Sequence, residues 1–236
     1  MTALADCPGN DHDNDHETSD GEPERVGSNA LVLTHPVVAD RLRVLRDKHT
    51  DQATFVRVAA ELSTLVAYEA TRTLGLEDTP VDTPVMAGAR AQRLAEKILV
   101  VPILRAGLGM SQAVTDLLPG SAVAHVGLRR DEETLASVIY MNLLPDDLSG
   151  CTVVVCDPMV ATGGSLSQVC GLARDRGARS VLALCLLASV PGVAHMAATH
   201  PDVRLVCAGM DDHLDERGYI TPGLGDAGDR LFGLAP

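Results

Sequence analysis

Residues 151–178, CTVVVCDPMVATGGSLSQVCGLARDRGA, decide the fold. Cys151–Cys156 is an apolar run broken only by Thr152, of strand length and rich in β-branched valine. Asp157 ends it. A loop of small residues follows, Ala161-Thr162-Gly163-Gly164-Ser165, and then a helical pattern through about Arg176. A strand apolar on both of its faces must be covered on both, the condition of a parallel sheet between helix layers. The same alternation recurs outward in both directions. Ile98–Leu104 is an apolar run followed by Gly107, Gly109 and a helical stretch to Leu118, and Ala122–Leu128 is another run. Ser180–Ser189 reads as a strand, Pro191–Thr199 as a helix and Val203–Ala208 as a last buried strand. Strands alternating with helices mean βαβ units. On the N-terminal side, Val44, Leu45, Val58, Leu62, Leu65 and Val66 recur at helical spacing between His35 and Leu74. Gly75 stops that pattern, and Pro80 and Pro84 prevent its continuation. The expected fold is α/β: a central, mostly parallel sheet flanked by helices, with an N-terminal helical layer.

Composition agrees and excludes several function classes. The 236 residues are 46% apolar but only 2% aromatic, without Trp, so the core is Val, Leu, Ala and Ile and no aromatic platform for nucleic-acid bases is expected. Net charge is −13, and eight of the 32 acidic residues lie in residues 1–24, which contain no Lys or Arg. The body is therefore only mildly acidic, and no basic face for a duplex or RNA backbone is expected. Residues 1–28 read as a disordered acidic tail and 29–236 as the folded domain, with order beginning near Leu31. His12 and His16 have a metal-binding spacing, but nothing organises a helix there. The six Cys (7, 151, 156, 170, 185, 207) form no CxxC pair and read as small buried hydrophobes of a reducing compartment. The chain opens without a basic, then apolar, leader, and its longest apolar run, Val181–Val190, is too short to span a bilayer. A cytoplasmic protein without membrane or nucleic-acid partners is expected.

The loop after Cys156 carries the chemistry. Ligands of open α/β sheets sit at the carboxyl ends of strands, and Asp157 stands at such an end. Gly163 and Gly164 allow backbone N–H groups to turn inward, Thr162 and Ser165 add hydroxyl donors, and a helix N-terminus adds partial positive charge. Together they form a cradle for a phosphate monoester, with Asp157 placed to accept from sugar hydroxyls. A Walker A loop needs a Lys that is absent, and GxGxxG is absent too. A structural strand–turn–helix would also use Gly and Ser. An acid followed by small residues and T-G-G-S points instead to a loop for phosphoribosyl pyrophosphate (PRPP).

Several segments then resemble one family, the uracil phosphoribosyltransferases of type I phosphoribosyltransferase fold. They are DPMVATGGS at 157–165, VPILRAGLGM at 101–110, GLRRDEETL at 127–135 and GYITPGLGDAGDRLFG at 218–233, with HPVVADRLRVLRD at 35–47 and YEATR at 68–72. The resemblance spans about residues 31–236. It implies PRPP contacts at Arg105, Arg130, Asp157, Pro158, Met159, Val160, Ala161, Thr162, Gly163, Gly164, Ser165 and Asp226. It implies uracil contacts, largely through backbone, at Ile220, Gly225, Asp226 and Ala227, and catalytic roles for Arg105, Arg130 and Asp157. Read physically, Arg105 follows a strand and suits pyrophosphate oxygens whose charge rises as they depart, though an Arg there could equally pair with a surface acid. Gly218–Gly233 holds five Gly and cannot form a regular helix or strand, so it reads as backbone shaped around a base. Residues 129–134 are a charge run that the family implies to be a mobile loop over the site, with Arg129 standing where the family usually has an aromatic. His125 reads as a core histidine, and no general base is named.

The expected reaction is uracil plus PRPP giving UMP and pyrophosphate, with Mg²⁺ arriving on PRPP rather than in a protein metal site. The resemblance adds a homodimer or larger homo-oligomer, and GTP as a candidate activator. Two alternatives stay open, a nucleotide-sensing regulatory protein on the same fold and a phosphoribosyltransferase for another base.

Overall fold

The computed structural model describes residues 24–26, 29–130 and 137–234, with the backbone alone for Arg25, Val26 and Arg130. The chain begins with β1 (Glu24–Val26), β2 (Ala30–Val32), α1 (Pro36–Arg46) and α2 (Gln52–Ala70). A two-stranded ribbon, β3 (Leu76–Val81) and β4 (Ala89–Leu94), leads into β5 (Lys97–Leu104) and α3 (Leu108–Leu117). Then come β6 (Ala122–Val123), β7 (Val126–Arg130), β8 (Ser137–Asn142), β9 (Cys151–Cys156), β10 (Met159–Val160) and α4 (Gly164–Asp175). The chain closes with β11 (Ser180–Ser189), α5 (Val190–Thr199), β12 (Arg204–Asp211), β13 (His213–Leu214), β14 (Ile220–Thr221) and α6 (Ala227–Phe232).

The main sheet has the order β1-β2-β12-β11-β9-β5-β7-β8, with β10 added to β11 and β6 to β5. Neighbours from β2 to β7 are parallel, while β1 and β8 are antiparallel edges. Alternate residues of the central strands divide between two cores. Val154 and Cys156 of β9 and Leu182, Leu184 and Leu186 of β11 face a layer built by α1, α2 and α3. Val153, Val155, Val181, Ala183 and Cys185 face α4 and α5. Both faces are dry, as the apolar strands require. Among the described cysteines, Cys156, Cys170, Cys185 and Cys207 are buried and Cys151 is half-buried, all as free thiols. No helix among the described residues is long and apolar enough to cross a membrane.

Five features depart from the sequence reading. Glu24–Val26, placed in the tail, pairs antiparallel with β2; the other tail residues up to Pro23, and residues 27–28, lie outside the described residues. The helical pattern from His35 to Leu74 is two helices, because Asp47 turns extended at the end of α1 and the Asp51 carboxylate caps α2 by accepting from Thr54 N–H at 2.9 Å. The Ala122–Leu128 run is two strands that pair with different parts of β5. The ribbon β3–β4 and the strand β8 were not foreseen. Finally, the Gly-rich C-terminal segment is partly regular: β14 pairs with β13, and α6 forms because Asp226 accepts from Asp229 N–H at 2.9 Å while Gly233, at φ 72°, ends the helix.

That segment is tied to the body by Asp211, the last residue of β12. Its carboxylate takes both Nη atoms of Arg46, at 2.6 and 2.7 Å, and Gly223 N–H at 2.8 Å, while Arg46 also donates to the Gly223 carbonyl at 2.9 Å. Burial alone would push the Asp211 carboxyl up, but the Arg46 hydrogen bonds, the Gly223 N–H and the Arg46 charge hold it below the usual carboxylate range. The stabilisation is therefore complete above the unfolded value of 3.8 and is lost as pH falls through the lower folded one. Asp211→Asn should cost about 2–3 kcal/mol at pH 7, a fall in Tm of roughly 4–10 °C, since hydrogen bonds to a charged group are the stronger kind. Thermal melts from pH 7 to pH 3 should show the gap to wild type closing at the acid end.

Candidate active site

The loop after β9 is laid against β11 before it reaches α4. Asp157 N–H donates to the Leu184 carbonyl at 3.1 Å, and the Pro158 carbonyl accepts from Leu186 and Leu187 N–H at 3.0 and 3.1 Å. Ser189 Oγ donates to the Ala161 carbonyl at 2.5 Å and accepts from Gly192 N–H at 2.9 Å. The chain then turns through Gly163 at φ 79°, where a Cβ would also lie 2.9 Å from the Gly192 carbonyl, so only glycine fits. Gly163 provides no side-chain cap for α4. The first N–H groups of that helix consequently lack intrahelical acceptors and concentrate positive potential at its start.

A cavity of about 260 Å³ opens at this point, between the carboxyl ends of β5 and β9, the start of α4 and the β7–β8 pair. Asp157, Met159, Val160, Ala161, Thr162, Gly163, Gly164 and Ser165 line it from the loop and Arg105 from β5. Pro158 is buried and does not line it; its place is the carbonyl contact with β11. Arg130 closes β7 in register with Ser137, its side chain lying outside the described residues, as does the loop 131–136. Arg129 is exposed at the rim. Sequence reading missed Ser137, Leu128 and Ala106, which also line this cavity. Ala106 and Leu128 fall inside the quoted segments 101–110 and 127–135 without a role having been assigned to them, whereas Ser137 opens β8, which no local motif marks.

Arg105 also meets the alternative weighed from sequence. Its Nη2 lies 3.7 Å from Asp229 Oδ1, both side chains being largely exposed. Such a pair is worth about 0–1 kcal/mol, so a polyanion can take the guanidinium from it. Asp157 keeps part of its surface open to the cavity, yet burial pushes its carboxyl up to about 7 against the opposing pull of Met159 N–H. The Cys156 thiol beneath it is pushed up to about 12, by burial first and then by the Asp157 charge, and is inert as a nucleophile.

A second cavity, of about 300 Å³, is lined by Ile220, Gly225, Asp226 and Ala227, all four residues expected to meet a base. Arg217, Gly218, Tyr219 and Gly228 complete that side, and Ala106, Met159 and Ala161 form the other. Those last three residues line the first cavity as well, so the two hollows share one wall. Asp226 faces this second cavity while its carboxylate caps α6. His125 is half-buried, and among the described residues no histidine lines either cavity.

Known proteins of similar sequence bear names that fit a phosphate-type loop beside a base-sized hollow. A family model described as uracil phosphoribosyltransferase matches residues 32–234. A uracil phosphoribosyltransferase of Kineococcus radiotolerans is 52% identical over 206 residues, covering 86% of this chain and 98% of its own. One from Listeria innocua is 47% identical, with 87% and 99% covered. Among solved structures, a protein from Aquifex aeolicus superposes with a TM-score of 0.81 at 32% identity, covering 87% of this chain and 99% of its own. An adenine phosphoribosyltransferase from Trypanosoma brucei, at 12% identity and a TM-score of 0.54 over 85% of this chain and 91% of its own, shares the fold. The chain belongs to the uracil phosphoribosyltransferase family.

Proposed function

We propose that this chain transfers the phosphoribosyl group of PRPP to uracil, giving UMP and pyrophosphate in pyrimidine salvage. The observation that carries this is the shared wall: a phosphate-type loop and a base-sized hollow meet at Ala106, Met159 and Ala161. The PRPP 5′-phosphate sits in the 161–165 cradle, on backbone N–H groups and the Thr162 and Ser165 hydroxyls. Asp157 accepts from the ribose hydroxyls. As the C–O bond to pyrophosphate loosens, positive charge grows at the anomeric carbon and negative charge on the leaving oxygens, where Arg105 and Arg130 act. Uracil lies in the second cavity with its edge on backbone groups of Ile220, Gly225 and Ala227, and its N1 bonds to the anomeric carbon as the C–O bond breaks, the N1 proton leaving to the departing pyrophosphate or water. Positioning and charge stabilisation carry the rate.

Magnesium fits this site as a passenger. Asp157 and Asp226 line the two adjoining cavities and would offer hard oxygen ligands to an Mg²⁺ that arrives with substrate oxygens and water. When bound, it supplies charge neutralisation at the pyrophosphate. Assembly as a homo-oligomer and activation by GTP rest on the family resemblance; Val85 and Met86, exposed at 94% and 61% on the β3–β4 hairpin, are apolar surface that a second copy would cover. A cytoplasmic location rests on the free, mostly buried cysteines. Labelled uracil with PRPP and Mg²⁺, challenged with cytosine, hypoxanthine and orotate, tests the reaction; label appearing in UMP is the expected result, and its absence rejects the reading.

Two variants test the roles. Asp157→Asn should lower PRPP affinity or turnover by about one to two decades, the worth of hydrogen bonds to a charged acceptor. The same variant should melt higher than wild type in the ligand-free state at pH 8, by on the order of 5 °C. With its folded value near 7, above the unfolded 3.8, the ionised carboxylate is a burden at high pH that is relieved as pH falls through 7. The advantage of Asn should therefore shrink as pH falls below 7 and vanish only below the unfolded value of 3.8.

Base choice tests the second cavity. Cytosine presents an amine donor where uracil presents a carbonyl, and two mismatched buried positions at about 1–3 kcal/mol each give two to four decades of discrimination. Ala227 is the first residue of α6, and Asp226 before it is extended at φ −78°, ψ 108°. Proline is tolerated at that helix position and after such a residue, so Ala227→Pro should remove one N–H and leave the fold standing. Uracil turnover should collapse while calorimetry still detects PRPP binding. Unchanged uracil turnover, or comparable use of cytosine by wild type, places base recognition elsewhere.

A further inference from the structure

The first residue of β8 touches the start of α4 twice. Ser137 Oγ lies 2.9 Å from Ser165 Oγ, and Gln168 Nε2 donates to the Ser137 carbonyl at 2.8 Å. Ser165 and Gln168 are three residues apart in the opening turn of α4 and so share a helix face. One turn of helix thus holds one strand residue by both its side chain and its backbone. Ser137 also lines the first cavity, next to Ser165.

We infer that Ser137 is a positioning residue for the phosphate site: its hydroxyl donates to Ser165 Oγ and so aims the Ser165 hydroxyl at the phosphate. This rests on reading 161–165 as the cradle of the PRPP 5′-phosphate. A serine hydroxyl has one proton to give and lone pairs with which to accept. A phosphate dianion only accepts, so Ser165 in contact with it gives its proton there. The 2.9 Å contact then has one direction, from Ser137 to Ser165. Each bond of such a chain polarises the next, and the bond that ends on a charged acceptor is the stronger for it. The Gln168 contact fixes where the Ser137 backbone stands, so the donor is in place before substrate arrives. Without Ser137, the Ser165 hydroxyl keeps its own bonding capacity but loses the partner that orients it.

The test is a double-mutant cycle of Ser137→Ala and Ser165→Ala in the full chain, read by calorimetry with ribose 5-phosphate and by steady-state kinetics. Ser137→Ala should weaken ribose 5-phosphate binding and raise KM for PRPP by about three- to tenfold, the worth of one neutral hydrogen bond, with kcat and the KM for uracil unchanged. Ser137→Thr, which keeps the hydroxyl and suits a strand, should restore the wild-type value. In the Ser165→Ala background, Ser137→Ala should have no further effect. Losses that simply multiply in the double variant overturn the inference, as does a Ser137→Ala protein whose kcat falls with no change in PRPP KM. Ser165→Ala binding ribose 5-phosphate like wild type has a different meaning: it removes the phosphate reading of the loop, and this inference with it.

Discussion

One buried carboxylate decides where the C-terminal third of the site goes. Asp211 ends β12 on the dry side of the sheet edge, where an unpaired charge would cost several kcal/mol. It is satisfied by Arg46 from the last turn of α1 and by the Gly223 N–H of the segment that follows. The segment 218–233 sinks Ile220, Leu224 and Leu231 into the core under the helical layer, but its five glycines leave the path between those anchors open. Arg46 binds Asp211 and the Gly223 carbonyl together, and Arg230 repeats the device, donating to the carbonyls of Leu45, Leu224 and Asp47 while its guanidinium lies 4.2 Å from the centre of the Phe55 ring. Two arginines thus convert loose main chain into one wall of a cavity. The base hollow exists because that wall is held against Met159 and Ala161 of the phosphate loop.

The other constraint is the sheet. Parallel strands covered on both faces must be apolar along their length, which leaves polar groups only at their ends. Asp157 follows β9 directly, Arg105 follows β5, and Ser189 and Asp211, paired in register, end β11 and β12. The chemistry gathers at one edge because the interior cannot accept it. The cost falls on Asp157, whose carboxyl is pushed up to about 7 by burial. In the proposed reading, this destabilises the ligand-free form in exchange for a preplaced acceptor.

These two constraints explain what the sequence revealed. The apolar runs 98–104, 151–156 and 180–189 were legible because a doubly covered strand leaves a continuous signature. The loop 157–165 was legible because every residue of the cradle is local to it. The ribbon β3–β4 was not: its residues are mostly exposed, Pro80 sits within it, and Ala, Arg and acids carry no strand pattern. Of the C-terminal segment, the four expected residues line the hollow, but its regular pieces were hidden among the glycines. Arg46 and Asp211 were missed because they are 165 residues apart and no spacing rule relates them. Ser137 was missed for the same reason, its meaning lying in a contact with Ser165 across 28 residues.

The shared wall ties the two cavities to one stretch of chain. Met159 and Ala161 belong to the phosphate loop, yet they also form the far side of the base hollow. Met159 pairs with Leu187 and Val160 with Ala188 on β11, and the Ala161 carbonyl is held by Ser189. The loop is therefore not a free lasso that closes on a phosphate; its first half is sheet and its second half is helix terminus. In the proposed reading, a base in the hollow packs against residues whose neighbours, two to four positions on, hold the phosphate. On that reading this short, doubly anchored stretch sets the distance between phosphate and base, and so places the ring nitrogen against the anomeric carbon.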